Sequence, residues 1–216
     1  MKYLNLKFIY IWSKYFFSKY SRYRHIYNEI IKCKPKNILE VGVYKGKRAH
    51  EMIFLASSFN RVIQYYGFDL FEKMKKSKIA TELSKEPESK LNIKKKLSTD
   101  FKNAKIKLIQ GDTKNTLKKF SKLKKKIDFV FIDGGHSLST IQSDWKYIKK
   151  ILNKKSIVIF DDYYGDHEII KKFGCNKVIQ KLGNKFKYEV LQSNDYIKKN
   201  KKNIKNSLVK VTFNHS

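Results

Sequence analysis

Six acidic side chains and one histidine stand where their types and spacing could do chemistry: Glu40, Asp69, Asp112, Asp133, the pair Asp161–Asp162, and His136. Each acidic position ends, or nearly ends, a short apolar run. Taken singly, any of them reads as a helix N-cap or a solvated loop carboxylate. Acidic residues at five consecutive run ends describe something else. Together they line an anionic crevice in a chain whose net charge is +30. Carboxylates accept hydrogen bonds and balance cations, so such a crevice suits a ligand rich in ammonium, hydroxyl and amine donors.

The first turn reads Glu40-Val-Gly42-Val-Tyr-Lys-Gly46. It is not the G-x-G-x-x-G fingerprint that brings a pyrophosphate against a helix N-terminus. Instead, E-x-G-x-x-x-G sets a carboxylate beside a close backbone approach, which suits an ammonium group. Asp69 follows, where an acidic side chain accepts both hydroxyls of a ribose. Asp112, in Gly111-Asp112-Thr113, suits the exocyclic amine of adenine. An ammonium, a ribose and an adenine along one crevice describe S-adenosylmethionine better than NAD.

The elements that must position these residues follow from the apolar pattern. Strands are expected over Asn37–Val43, Arg61–Leu70, Ala104–Gly111, Ile127–Asp133 and Ser156–Phe160, then Lys185–Leu191 and Leu208–Phe213. Helices are expected over Arg48–Phe59, over Glu72–Thr99 with a break near Pro87, over Thr113–Phe120, and over Glu168–Leu182. A further helix carries Leu138, Ile141, Trp145, Ile148 and Leu152 at spacings of three or four. Short all-apolar strands alternating with amphipathic helices imply a parallel sheet covered on both faces. The expected fold is therefore α/β: Rossmann-like, doubly wound, seven-stranded and mostly parallel, with an antiparallel last strand. Lys198–Lys205 reads as a solvated loop.

Composition bounds the rest. With 216 residues, 41% of them hydrophobic, the chain can bury a core and fits one domain with a small appendage. Cys33 and Cys175 are too few and too distant for a disulfide framework, which fits a reducing cytoplasm. No apolar run reaches the ~20 residues of a membrane span. The basic surface invites a nucleic-acid partner, yet only Arg22, Arg24, Arg48 and Arg61 are arginines, and Lys, Asn, Ile, Tyr and Phe are amino acids of AT-rich codons. No acidic residue precedes Glu29. Residues 1–34 read as a basic, aromatic helical segment with Leu4, Phe8, Ile11 and Tyr15 at helical spacing, and residues 35–216 as the main domain. That segment either packs on the domain or covers its active site, or it lies on an anionic membrane surface.

The stretches ILEVGVYKGKRA, YYGFDLFE, KLIQGDT and IDFVFIDGGHSLSTIQSDWKYIKKILNKKSIVIFDDYY resemble the class I S-adenosylmethionine-dependent methyltransferases. They look most like the branch of macrocin-type O-methyltransferases and cephalosporin-hydroxylase-like proteins. The resemblance spans roughly residues 35 to 192. It implies that Glu40, Gly42, Gly46 and Asp69 hold the methionine and ribose, that Asp112 and Thr113 flank the adenine, and that Asp133 lies beside the cofactor. It also implies a divalent cation, Mg²⁺, on Asp133, Asp161 and Asp162, with His136 as the general base. Relatives read D-G-D-H-S-Y where this chain has Gly135 and Leu138, so one polar and one aromatic contact are missing on the substrate side.

The implied reaction is methyl transfer to a hydroxyl of a small molecule or sugar. Tyr163, Tyr164 and His167 follow the site and either line the acceptor pocket or pack the loop. A nucleic-acid methyltransferase is the first alternative, although the chain has neither the N-P-P-Y turn of adenine enzymes nor the P-C pair of cytosine-C5 enzymes. A metal-dependent oxygenase or a non-catalytic member of the fold is the second. Oligomeric state is not legible.

Overall fold

The structure, a computed structural model, describes Ile9, Ser13 and residues 21–74, 86–165, 168–199 and 202–214. Five strands run parallel: β1 (Asn37–Val41), β2 (Ile63–Asp69), β3 (Ala104–Gln110), β4 (Ile127–Ile132) and β5 (Leu152–Tyr164). The chain then adds β6 (Phe186–Leu191), β7 (Tyr196–Lys199) and β8 (Lys202–Phe213). The sheet order is β3-β2-β1-β4-β5-β8-β6, with β7 paired to β8 beside this path. Strand β8 is antiparallel to both β5 and β6. The doubly wound α/β sheet with its antiparallel last strand is therefore as expected.

Alternation along the strands sorts the core into two layers. Ile38, Tyr65, Phe129, Phe131 and Ile159 face α1 (Arg24–Cys33), α2 (Lys47–Ser57) and α3 (Lys90–Asp100), which contribute Ile26, Ile30, Met52, Ile53, Ile93 and Leu97. Leu39, Phe68, Val130, Val158 and Phe160 face the other way. There they meet Leu117 and Phe120 of α4 (Thr113–Ser121), Trp145 and Ile148 of α5 (Leu138–Ile148), and Val178 of the short α6 (Asn176–Ile179). A sheet apolar on both faces needs a helical layer on each.

Three expectations need correction. Among the described residues the sheet has eight strands, not seven: part of the lysine-rich 198–205 segment belongs to a β7–β8 ribbon, so β8 starts at Lys202 rather than Leu208. Its pattern hides because Ile197 opposite Ile204 is its one aliphatic pair. The expected helix over Glu168–Leu182 is a 3₁₀ turn, Ile169–Lys171, and then α6. Between them Gly174 stands at φ +81°, where a Cβ would lie 2.5 Å from the Asp162 carbonyl oxygen. Leu152 opens β5 instead of closing a helix.

Of the expected helix over Leu4, Phe8, Ile11 and Tyr15, all four positions lie outside the described residues, as does His167. From Ser21 onward a 3₁₀ turn, Ser21–Tyr23, leads into α1, which packs on α2. Among the described residues no helix is long and apolar enough to cross a membrane.

Strand β5 carries the feature that matters most for the site. Between Phe160 and Tyr163 its register against β8 shifts, two residues of β5, Asp161 and Asp162, standing opposite one of β8, Leu208. The extra residue makes a β-bulge at Asp161–Asp162, and Asp162 takes φ +63°. Bulges re-aim side chains beside functional sites.

Candidate active site

The carboxyl ends of β1 to β4 open into a cleft of about 780 Å³ including its mouth. Gly42 and Tyr44, Asp69 and Leu70, Gly111 to Lys114, and Asp133 to His136 line it. Gly42 sits at φ +91°, and a Cβ there would lie 1.8 Å from the Asp133 carbonyl oxygen. The Asp133 N–H donates to the Val41 carbonyl at 2.8 Å, so the backbones of the first and fourth strands meet with no room for a side chain.

The Asp69 carboxylate is held in place by two backbone donors. The Tyr44 N–H reaches Oδ2 and the Phe71 N–H reaches Oδ1, both at 2.8 Å. Tyr44 and Phe71 both take φ +51°, a costly conformation for such side chains. Each carboxylate oxygen keeps a second lone pair. Asp112 is the N-cap of α4, its Oδ1 accepting from the Lys114 N–H at 2.9 Å, and Thr113 opens that helix. The helix-cap reading and the cleft-lining reading of Asp112 therefore both hold.

At the β4 end of the cleft, His136 Nδ1 is hydrogen-bonded to Asp162 Oδ2. The Gly174 N–H donates to the His136 carbonyl at 2.9 Å, and the Cys175 N–H to the Asp162 carbonyl at 3.0 Å. This loop clamps the two residues together. Burial alone lowers the His136 pKa, but the hydrogen bond and charge of Asp162, with Asp133 and Asp161 beyond, outweigh it and push it up to about 9. The imidazole is thus a cation at neutral pH. Burial, then the charges of Asp161 and Asp162, drive the Asp133 carboxyl well above the usual carboxylate range.

The acidic pair is already engaged. Arg22 Nε lies 3.1 Å from Asp161 Oδ1, and Arg22 Nη2 lies 3.3 Å from Asp161 Oδ2. The Tyr23 hydroxyl donates to Asp161 Oδ2 at 3.3 Å. Asn206 Nδ2 donates to Asp162 Oδ1 at 3.3 Å, leaving Oδ2 for His136. Among the described residues no group of three His, Cys, Asp or Glu side chains has the arrangement of a metal site. As folded, the implied Mg²⁺ ligands Asp133, Asp161 and Asp162 do not fit a divalent cation, because the Arg22 guanidinium stands on both oxygens of Asp161, which also accept from the Tyr23 hydroxyl and the Asp162 N–H.

Glu40 and Gly46 do not line the cleft. By strand alternation Glu40 faces the α1–α2 layer, where the Tyr65 hydroxyl donates to Oε2 and Oε1 is buried without a hydrogen-bond partner among the described residues. Burial pushes its pKa up to about 8. Gly46 caps the start of α2 at φ +71°, against Ile93. Tyr163 packs against the α4–α5 layer, and Tyr164 is buried.

The sequence profile of a methyltransferase-domain family matches residues 39–163, more than half of the chain. The chain belongs to this methyltransferase family. No curated protein matches it by sequence. Among solved structures, the methyltransferase is similar to an O-methyltransferase from Bacillus cereus in complex with SAH, at 13% identity and TM-score 0.57, covering 90% of this chain and 81% of that one. It is similar to the O-methyltransferase TomG from Streptomyces achromogenes, involved in tomaymycin synthesis and solved with SAM, at 11% identity and TM-score 0.54, covering 88% and 78%. An rRNA methylase from Streptococcus thermophilus is similar at 15% identity and TM-score 0.59, covering 89% and 97%. At such identities these likenesses establish the shared fold.

Sequence reasoning missed several residues that build the methyltransferase site. Arg22 and Tyr23 come from the N-terminal segment, Gly174 and Cys175 from an expected helix, and Asn206 from a strand that starts earlier than expected. One signal was available for Arg22: in a chain that uses lysine almost throughout, an arginine marks a place where a planar fork is needed.

Proposed function

We propose that the cleft binds S-adenosylmethionine and that the enzyme transfers its methyl group to a hydroxyl oxygen of a small molecule or sugar. Asp69 accepts from the ribose hydroxyls, Asp112 and Thr113 flank the adenine, and the backbone at Gly42 admits the methionine portion. One observation carries the O-methyl reading: His136, oriented through Nδ1 by Asp162, lies at the β4 end of the cleft lined by Asp69. Bonding at Nδ1 leaves Nε2 to act on the acceptor.

The sulfonium entering near His136 favours loss of the imidazole proton, because like charges disfavour each other. Nε2 then takes the hydroxyl proton as the oxygen attacks the methyl carbon. The carbon–oxygen bond forms while the carbon–sulfur bond breaks, giving S-adenosylhomocysteine and a methyl ether. Alignment of the two reactants supplies much of the acceleration.

A second reading, methylation of RNA, draws on the net charge of +30 and on the matching size of the S. thermophilus rRNA methylase. The test begins with calorimetry of S-adenosylhomocysteine on wild type and Asp69→Ala. Transfer of radiolabelled methyl groups to a panel of sugars and phenols, or to total RNA, follows. Cofactor binding lost in Asp69→Ala, with label in a hydroxylated small molecule, supports the proposal. Label confined to RNA, with binding that falls steeply in salt, favours the second reading. Absence of cofactor binding overturns both.

A further inference from the structure

Arg22 is 8% exposed and Asp161 3% exposed, so their pairing is an ion pair inside the protein. The guanidinium meets both Asp161 oxygens, through Nε at 3.1 Å and Nη2 at 3.3 Å. Its Nη1 lies 3.3 Å from Asp195 Oδ2, and the Arg22 backbone N–H donates to the same oxygen at 3.1 Å. The Tyr23 ring lies 4.5 Å from the Arg22 guanidinium carbon and 4.0 Å from that of Arg48. This is a built seat for a fixed cation. A bidentate guanidinium–carboxylate contact is among the strongest a protein forms, and arginine keeps its charge at every relevant pH.

The seat lies beside the chemistry. Asp161 Oδ1, which accepts from Arg22, also accepts from the Asp162 backbone N–H at 2.7 Å. Arg22 therefore holds Asp161, Asp161 holds the bulge in which Asp162 stands at φ +63°, and Asp162 holds His136. A positive charge on the strand-five pair is what a divalent cation would contribute there. This chain supplies it from its own N-terminal segment, 139 residues away in sequence.

We infer that Arg22 is the resident cation of the Asp161–Asp162 pair, and that this methyltransferase works without a divalent metal at that pair. The inference deepens the methyl-transfer reading and rests on it. Arg22 acts through Asp161, so it is a positioning residue. A guanidinium differs from a metal ion in one respect that matters. It cannot open a coordination position to an acceptor oxygen, so the acceptor is held without a metal–oxygen bond at that pair.

The test is electron paramagnetic resonance titration with Mn²⁺ of the full-length wild type, Arg22→Ala and Arg22→Lys, in parallel with S-adenosylhomocysteine calorimetry in EDTA. Wild type and Arg22→Lys are expected to leave the free Mn²⁺ signal unchanged through the micromolar range, and wild type to bind S-adenosylhomocysteine fully in EDTA. Arg22→Ala empties the seat between Asp161 and Asp195 and is expected to gain stoichiometric Mn²⁺ binding, which Asp161→Asn added to it removes. Stoichiometric Mn²⁺ on the wild type, lost in Asp161→Asn, overturns the inference. So does a folded Arg22→Ala, judged by its melting transition, that takes up no Mn²⁺. Should Arg22→Ala fail to fold, Arg22→Gln carries the same arm. Failure of S-adenosylhomocysteine to bind the wild type at all, with or without metal, counts against the proposed function and leaves the Mn²⁺ arm to be read by itself.

Discussion

Asp162 holds His136 by its Nδ1 side, across 26 residues of chain, with its own backbone in the left-handed region. The carboxylate fixes the ring and selects the nitrogen that faces a ligand. It also raises the imidazole pKa to about 9, against the opposing pull of burial. Replacing Asp162 with Asn removes the charge while keeping the shape. The His136 resonance, followed by NMR against pH, is expected to titrate well below 9 in Asp162→Asn. An unchanged titration would show that Asp162 does not set the histidine.

His136→Ala removes the group assigned to take the acceptor proton. General-base contributions of this kind run to roughly 10²–10⁴-fold in rate. The variant is expected to lose that much methyl transfer while binding S-adenosylhomocysteine as the wild type does, since the ribose and adenine contacts lie elsewhere. Cofactor affinity falling in step with rate would make His136 a structural residue instead.

How far the site was legible follows from which partners are local. Asp69 and Asp112 are positioned by their own turns, through Tyr44, Phe71 and Lys114 amides close in the chain or across one strand pair. An acidic residue after an apolar run therefore marked them well. Glu40 was harder. The alternation Ile38-Leu39-Glu40-Val41 assigns it to the face of Ile38, but only the fold shows that this face meets α1 and α2 rather than the cleft. Arg22 and Asn206 reach the acidic pair from the two ends of the chain, and no local pattern encodes such a meeting. The bulge at Asp161–Asp162 was equally hidden, because one extra residue in a strand leaves the apolar run intact. In β7 the opposite holds: lysines on a two-stranded ribbon erase the alternation that identifies a strand.

Gly42→Ala tests the close approach of the first and fourth strands. An added Cβ would have to clear the Asp133 carbonyl oxygen, 1.8 Å away, and that atom belongs to the backbone. Overpacking costs about 1–3 kcal/mol or more, and each kcal/mol lowers Tm by about 2–4 °C for a chain of this size. A melting transition at the wild-type temperature would refute the geometry at this turn.

Asp69→Asn is the gentler probe of the ribose subsite. The amide keeps one acceptor oxygen for either Tyr44 or Phe71 but turns the other acceptor into a donor. Charged hydrogen bonds contribute about 1.5–3 kcal/mol, so S-adenosylhomocysteine affinity is expected to fall roughly 10- to 100-fold. Calorimetry that finds equal affinities would place the ribose elsewhere.

Glu40 ties stability to pH. Burial pushes its carboxyl from 4.5 up to about 8, with the Tyr65 hydrogen bond and Arg48 pulling the other way. A group whose pKa is higher folded than unfolded binds its proton more tightly in the native state. Its contribution is therefore complete below about pH 4.5 and fades as the pH climbs to about 8. Asp144, raised by burial to about 7, and His136, raised to about 9, slope the same way, so the wild type as a whole is expected to melt lower at pH 8 than at pH 5. Glu40→Gln keeps an acceptor for the Tyr65 hydroxyl and cannot ionise. Its Tm is expected to fall less over this range, and the gap between the two proteins to widen toward alkaline pH. Parallel profiles would mean that Glu40 does not hold its proton in the folded protein. In that event the positive charge of Arg48, which acts against the shift, would be what keeps the carboxylate ionised.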